Sequence, residues 1–169
     1  FGGILGRLQN EKDVEEMKQY EIPAFDLVIV DLYPFEETVK KTDDPAQIIE
    51  KIDIGGISLI RAGAKNFNEV VIVPDSKYYL EFMELYKNQN GCTSIEDRKR
   101  FAKYAFATSS HYDGMIYDWF AKDDEASDLN IHIDSRSELR YGENPHQKAV
   151  FYGNLDDVFE KLHGKDLSY

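Results

Sequence analysis

The sequence predicts an α/β fold with a mainly parallel sheet flanked by helices, and three observations carry that prediction. Phe25-Asp26-Leu27-Val28-Ile29-Val30-Asp31-Leu32 and Glu69-Val70-Val71-Ile72-Val73 are short, nearly unbroken apolar runs, the pattern of strands buried on both faces of a parallel sheet. Segments with helical periodicity and identifiable caps separate and follow them. Between them, Asp53-Ile54-Gly55-Gly56 opens an apolar helix that carries Arg61 and Lys65 four residues apart. Two glycines before a helix free the backbone and leave N–H groups open to an anion or polar ligand.

Taken in order, the apolar opening Phe1-Gly2-Gly3-Ile4-Leu5 reads as a strand or turn. Asn10 caps a polar helix from about Glu11 to Tyr20, with Asp13 placed to favour its N-terminal dipole, and Pro23 lies beyond its end. The first strand ends at Tyr33-Pro34-Phe35. Ligands of open α/β sheets bind beyond the carboxyl ends of strands, so Asp31 and Tyr33 stand where chemistry is expected. An aromatic plug over the sheet end is the competing reading of Tyr33-Pro34-Phe35. Asp44-Pro45 starts a helix through Ile52, with Asp as N-cap and Pro at the first helical position. After the second strand and Pro74, an amphipathic helix runs from about Asp75 to Asn88, with Tyr79, Phe82, Met83 and Tyr86 as its core face.

Ser94-Ile95-Glu96-Asp97 resembles a capping box with a shortened partner and opens a long helix to about Lys122. Phe101, Tyr104, Ala105, Thr108 and Tyr112 form its apolar stripe. His111 lies beside that stripe with no second ligand-type residue at i+4, so it reads as structural and no metal site is expected. The acidic Asp123-Asp124-Glu125-Ala126-Ser127-Asp128 reads as a solvated linker, placing a boundary between residues 1–128 and 129–169. Beyond it come a strand over Leu129–Ile133, a polar loop from Leu139 to Gln147, a strand over Lys148–Tyr152 and a helix from Leu155 towards Gly164.

Composition narrows the function. The chain is 42% apolar and 13% aromatic, a globular balance. Its 20 basic and 32 acidic residues give a net charge of -12, which opposes nucleic-acid binding and requires a local pocket for any phosphorylated ligand. One cysteine, Cys92 in a polar loop, excludes an internal disulfide and fits a reducing compartment such as the cytoplasm. No apolar run approaches the roughly 18 residues of a membrane span, so no membrane partner is expected. The apolar start without Met is expected to lie inside a domain.

By residue type alone, Asp53, Tyr33, Lys65 and Arg61 supply a base, a phenolic donor and two cations, a set able to move protons, polarise a carbonyl and hold an anion. If residues 57–64 are regular helix, Asp53 and Lys65 stand about 12 Å apart along its axis, and direct pairing needs a kink or an early end. The equally open alternative makes Asp53 a helix cap and the two cations a solvated face. His146 is either a surface residue or part of a site.

Asp31-Leu32-Tyr33-Pro34-Phe35, Ile52-Asp53-Ile54-Gly55-Gly56, Arg61-Ala62-Gly63-Ala64-Lys65-Asn66 and Leu139-Arg140-Tyr141-Gly142-Glu143-Asn144-Pro145-His146-Gln147, in that order and at those intervals, closely resemble the bifunctional AICAR formyltransferase/IMP cyclohydrolase family of purine biosynthesis. The resemblance implies that residues 1–128 are most of a cyclohydrolase domain with a methylglyoxal-synthase-like fold, and that residues 129–169 comprise a linker and the start of a second α/β domain, the formyltransferase. It implies ring closure of FAICAR to IMP with loss of water, without cofactor or metal, and formylation of AICAR by 10-formyltetrahydrofolate in a homodimer.

In that resemblance Asp53 and Lys65 match the active-site aspartate and lysine, and Tyr33 the tyrosine that assists proton movement. Asp31, Ile54, Gly55 and Asn66 fall at cyclohydrolase substrate-binding positions. Arg140, Tyr141 and His146 match the AICAR site of the formyltransferase, and Arg61 becomes structural. Two residues depart from the family pattern: Asp31 stands where Asn is common, and an ionised carboxylate only accepts hydrogen bonds; Gly63 stands where Ala is usual.

The family's phosphate-binding loops and an Arg-x-Lys-Thr segment lie upstream of the matched motifs, and this sequence contains none of them. The 169-residue chain by itself is therefore expected to be inactive; conversion of FAICAR to IMP by the isolated chain would contradict this. The alternative for the same fold is a non-catalytic regulatory ligand-binding module of the kind found in carbamoyl-phosphate synthetase.

Overall fold

Strands β1 (Leu27–Ile29) and β2 (Val71–Val73) run parallel, with Leu27 opposite Val71, Val28 opposite Ile72 and Ile29 opposite Val73. This is a computed structural model that describes residues 1–125, 128, 129, 131–133, 135–157 and 159–168. They divide into two units, Phe1–Ser127 and Asp128–Tyr169. In the first unit the helices are α1 (Gly2–Leu5), α2 (Glu11–Gln19), α3 (Phe35–Lys41), α4 (Pro45–Ile49), α5 (Gly55–Lys65), α6 (Tyr79–Asn88) and α7 (Ile95–Phe120). The chain is an α/β protein with a small parallel sheet.

The core lies on both faces of β2. Ile72 packs with Ile60 and Ala64 of α5 and with Ala102 and Ala105 of α7. Val71 and Val73 pack with Phe82 of α6 and Phe101 of α7. Burial on both faces therefore holds for β2. It fails for β1, where Leu27 is 36% and Ile29 49% exposed. Among the described residues β1 pairs with β2 along one edge only, and α5 and α7 reach just the face that carries Val28 and Val30.

α5 approaches β2 so closely that a Cβ on Gly63 would stand 3.0 Å from the Ile72 Cβ. That atom belongs to a branched strand residue and has no rotamer that moves it away. Gly63→Ala gains about 1 kcal/mol of helix propensity against about 1–3 kcal/mol of overpacking. We expect a net loss of about 1 kcal/mol, read as a lower denaturant midpoint at unchanged slope.

Several caps follow the sequence. The Asn10 side chain accepts from the Asp13 N–H, and the Asp44 side chain accepts from the Ala46 N–H. Ser94 and Asp97 complete the capping box reciprocally. The opening segment, expected as strand or turn, is instead the short helix α1. The α6 face also differs: Met83 and Tyr86 are exposed, and Tyr78, Tyr79, Phe82 and Leu85 pack inward. A 3-10 turn at Ser76–Tyr78, capped by Asp75, rotates the helix that follows it.

α3 was not foreseen. It is held by Phe35, which is buried edge-on against Tyr112 and Trp119 at ring distances of 6.1 and 6.4 Å. Glu36–Lys40 and Glu37–Lys41 pair along its exposed face. Glu in the first turn and Lys in the last also suit the helix dipole.

In the second unit, β3 (Arg136–Glu138) and β4 (Val150–Tyr152) form an antiparallel pair. The strand expected over 129–133 is replaced by β3: residues 129 and 131–133 carry no strand, and residue 130 lies outside the described residues. The helix expected after Leu155 is reduced to a 3-10 turn at Leu155–Asp157. Residue 158 lies outside the description, and 159–163 are irregular. Gly164, at φ 105, stands where a helix would have to end.

Candidate functional site

The N-terminal end of α5 gathers four of the expected residues. Asp53, only 9% exposed, accepts from the Gly56 N–H at 2.6 Å through Oδ1 and from the Tyr33 N–H at 3.3 Å through Oδ2. The carboxylate occupies the space a side chain at position 56 would need, since a Cβ there would meet Oδ2 at 2.6 Å. Gly56 is thus a steric requirement of the carboxylate. Gly55 has open space around it, and Ile54 is 73% exposed. The Tyr33 ring is 56% exposed, with the Lys51 ammonium 5.6 Å from its centroid.

Tyr112 reaches this corner from α7. Its hydroxyl donates to the Lys51 carbonyl at 2.7 Å and accepts from the Asp53 N–H at 2.7 Å. Burial pushes its phenol pKa up, so the hydroxyl keeps its proton at neutral pH. Sequence periodicity places Tyr112 only in the core stripe. The available signal was chemical: a buried tyrosine hydroxyl needs a partner.

Asp31 lies beyond the end of β1 and accepts a hydrogen bond from the Tyr79 hydroxyl, which raises the pKa of that phenol. Asp31, Tyr33, Asp75, His111 and Tyr112 line a cavity of about 300 Å³. His111 Nε2 is 3.5 Å from Glu36. Among the described residues no three His, Cys, Asp or Glu side chains are grouped to hold a metal ion. No described helix is long and apolar enough to cross a membrane.

Lys65 and Asn66 are elsewhere. α5 runs unbroken from Gly55 to Lys65, about 15 Å at 1.5 Å per residue, so Asp53 and Lys65 occupy opposite ends and do not pair. Lys65 borders a second cavity, of about 950 Å³, together with Arg7, Asp13, Asn66 and Arg98. Asn66 is buried, and its amide donates to the Ile4 and Gly6 carbonyls at 2.8 and 3.0 Å, tying α1 to the end of α5. Arg7 is held by Asp13, whose pKa that guanidinium lowers to about 2. Arg61 donates to the Ser109 hydroxyl at 3.2 Å and lies over Phe106, so it is a packing residue between α5 and α7.

The second unit carries the remaining expected residues on one loop. Arg140 lies over the Tyr141 ring at 5.2 Å and donates to the Asp166 carbonyl. The Gly142 N–H donates to the Gln147 carbonyl at 2.7 Å, closing a turn in which His146 is exposed. A Cβ on Gly142 would stand 3.0 Å from the Gln147 Cβ, so the turn is tight.

Comparison with known proteins places these motifs. The sequence profile of the AICARFT/IMPCHase bienzyme family matches residues 63–169. The chain is 52% identical over its whole length to the bifunctional purine biosynthesis protein PurH of Bacteroides thetaiotaomicron, covering 33% of that protein. It is 42% identical, over 99% of its length, to the protein of the same name from Microcystis aeruginosa, covering 34% of it. The chain thus spans about a third of the length of these curated relatives. A crystal structure of ForH superposes with a TM-score of 0.62 at 33% identity, covering 74% of this chain and 64% of that one. With a family profile over most of its residues and motifs in matching order, the chain belongs to the AICARFT/IMPCHase bienzyme family.

Proposed function

We propose that the chain is part of a bifunctional enzyme of purine biosynthesis. In this reading Phe1–Ser127 is most of an IMP cyclohydrolase domain of methylglyoxal-synthase-like fold. Residues from about 129 onward begin the AICAR formyltransferase domain. The observation that carries the reading is the corner formed by Asp53, Tyr33 and the start of α5, where two residues from separate family motifs share a hydrogen bond.

The reaction needs what this corner offers. The carboxamide nitrogen of FAICAR attacks the formyl carbon, forming a C–N bond and losing a proton. The formyl oxygen gains one proton to become a hydroxyl. As the C–O bond breaks it takes a second proton and leaves as water, while a ring nitrogen loses its remaining proton and a C=N bond forms. Asp53 takes the proton from nitrogen, since each carboxylate oxygen keeps a lone pair beyond its backbone hydrogen bond. The exposed Tyr33 hydroxyl relays a proton to the departing oxygen, and the open backbone at Ile54-Gly55 receives the heterocycle. Lys65, at the far end of α5, holds the anionic part of a substrate lying along the helix. Arg140, Tyr141 and His146 contribute to the separate site where AICAR is formylated by 10-formyltetrahydrofolate.

Cyclisation in this scheme uses no metal or cofactor. The enzyme works as a homodimer in the cytoplasm on small nucleotides, without nucleic-acid or membrane partners. A purely regulatory module would have no use for the Arg140-Tyr141-Gly142 segment, which lies within the family match. The test is to supply the protein encoded by the whole gene with FAICAR, and separately with AICAR and 10-formyltetrahydrofolate. IMP and FAICAR, respectively, are the expected products, and absence of both overturns the proposal.

A further inference from the structure

We propose that Tyr112 is a positioning residue for cyclisation, acting through the Lys51-Ile52-Asp53 bend; this rests on the reading of Asp53 and Tyr33 given above. One hydroxyl, 2.7 Å from each of two backbone groups, ties the carbonyl of Lys51 to the N–H of Asp53. Those two residues direct their side chains to the same tyrosine. Asp53 accepts the Tyr33 N–H, and the Lys51 ammonium covers the Tyr33 ring. The hydroxyl therefore fixes both groups that approach Tyr33, from a helix almost sixty positions away in sequence.

Its own position is over-determined. The Tyr112 ring is buried, contacts Phe35 edge-on at 6.1 Å, and packs in one cluster with Phe35 and Ile48. Phe35 in turn follows Tyr33-Pro34 directly, and its N–H donates to the Tyr33 carbonyl at 2.8 Å. The ring thus supports the Tyr33 segment while the hydroxyl supports the Asp53 segment. Without the hydroxyl, the Asp53 N–H and the Lys51 carbonyl lose their shared partner, and the bend relaxes towards other hydrogen bonds. A base displaced by a fraction of an ångström loses rate without losing substrate affinity.

The test uses the protein from the whole gene and three variants. Tyr112→Phe keeps the ring and is expected to lower kcat for cyclisation about ten-fold with KM for FAICAR within about two-fold. Ile48→Val trims the same cluster without touching Asp53 and is expected to keep the wild-type kcat. Asp53→Asn is the control for the site itself. If Asp53→Asn abolishes cyclisation while Tyr112→Phe retains full kcat, the proposal falls and the site reading stands. If Asp53→Asn remains active, the site reading falls and takes the proposal with it. Equal losses in Tyr112→Phe and Ile48→Val point to general loosening and also overturn it. In the unmodified protein the Asp53 amide is expected to exchange about a hundred-fold more slowly than in an unstructured chain. An unprotected amide there overturns the proposal even if Tyr112→Phe fails to fold.

Discussion

Asp53→Asn, in the protein encoded by the whole gene, is expected to lower the rate of FAICAR cyclisation by about 10²–10⁴-fold, the usual contribution of a general base. The substitution is chosen because Asp53 has two separable jobs. As a structural group it accepts the Gly56 N–H at 2.6 Å, satisfying a donor at the start of α5, and the Tyr33 N–H at 3.3 Å. Asparagine keeps one carbonyl oxygen for the Gly56 N–H and turns its NH2 towards the Tyr33 N–H, so the shorter bond survives and the longer one is lost. The lost Tyr33 bond, the weaker uncharged bond to Gly56 and the lost dipole interaction together cost about 1–2 kcal/mol.

As a chemical group Asp53 offers a lone pair that can take a proton, and the amide does not. Activity and stability should therefore separate: initial rates of IMP formation collapse while the denaturant midpoint falls only modestly. If Asp53→Asn keeps half of the wild-type rate, Asp53 is a cap and nothing more. That is the alternative which spacing alone left open, and the hydrogen bond to Gly56 shows the capping geometry is real. Asp53→Ala answers less, because it removes both jobs together.

What the sequence made legible here follows from the range of the interactions involved. Capping is local, so Asn10, Asp44 and the Ser94/Asp97 pair could be read from spacings of two or three residues. The buried run of β2 was also legible, since every residue of Val71–Val73 is inside. β1 is equally apolar and has a different fate, because burial of Leu27 and Ile29 depends on what covers that face, and no local pattern records it. α3 was missed for a related reason. Phe35 is its one fully buried residue, with Val39 packed one turn on, and a single i, i+4 pair is too short a pattern to establish a helical period. Its paired charges were the signal present.

At the site, the Asp53–Gly56 contact could be anticipated from three-residue spacing. The Tyr33–Asp53 bond spans twenty residues and the Tyr112–Asp53 bond fifty-nine. The family motifs group Tyr33 with Asp53, because both lie in them, and the fold supplies the bond between the two. Tyr112 lies in none of the motifs that carry the resemblance, and only the fold brings it to Asp53. Lys65 is grouped with Asp53 by the motifs, and the unbroken helix between them sets the two at opposite ends of α5, the separation that a regular helix over this spacing implies.

Phe101→Ala should produce the largest loss of stability among these variants, about 3–5 kcal/mol, the range for removing a fully buried aromatic ring. Phe101 has no exposed surface and sits where α6 and α7 meet β2, packed with Val71, Val73 and Phe82. Its ring meets Phe82 and Tyr104 edge-on at 5.7 and 5.5 Å, so truncation removes two aromatic contacts along with the buried area. Ala fills little of the space, and the surrounding β-branched residues are too stiff to collapse into it.

Phe106 on the same helix provides the comparison. It is 44% exposed and covers Arg61, so Phe106→Ala should cost about 1 kcal/mol or less. Chemical denaturation of the two variants side by side tests whether burial or residue type sets the loss. With typical domain stabilities of about 5–15 kcal/mol, Phe101→Ala consumes a large share, and its transition should shift well below that of Phe106→Ala. Equal shifts would mean that the two faces of α7 are buried alike, which contradicts the packing of Phe101 against β2. Neither ring makes a hydrogen bond or ring contact to Asp53, Tyr33 or Tyr112. Below its unfolding transition Phe101→Ala should therefore retain the cyclisation rate that Asp53→Asn loses, because the core and the chemical corner are held by different residues of α7, Phe101 for one and Tyr112 for the other.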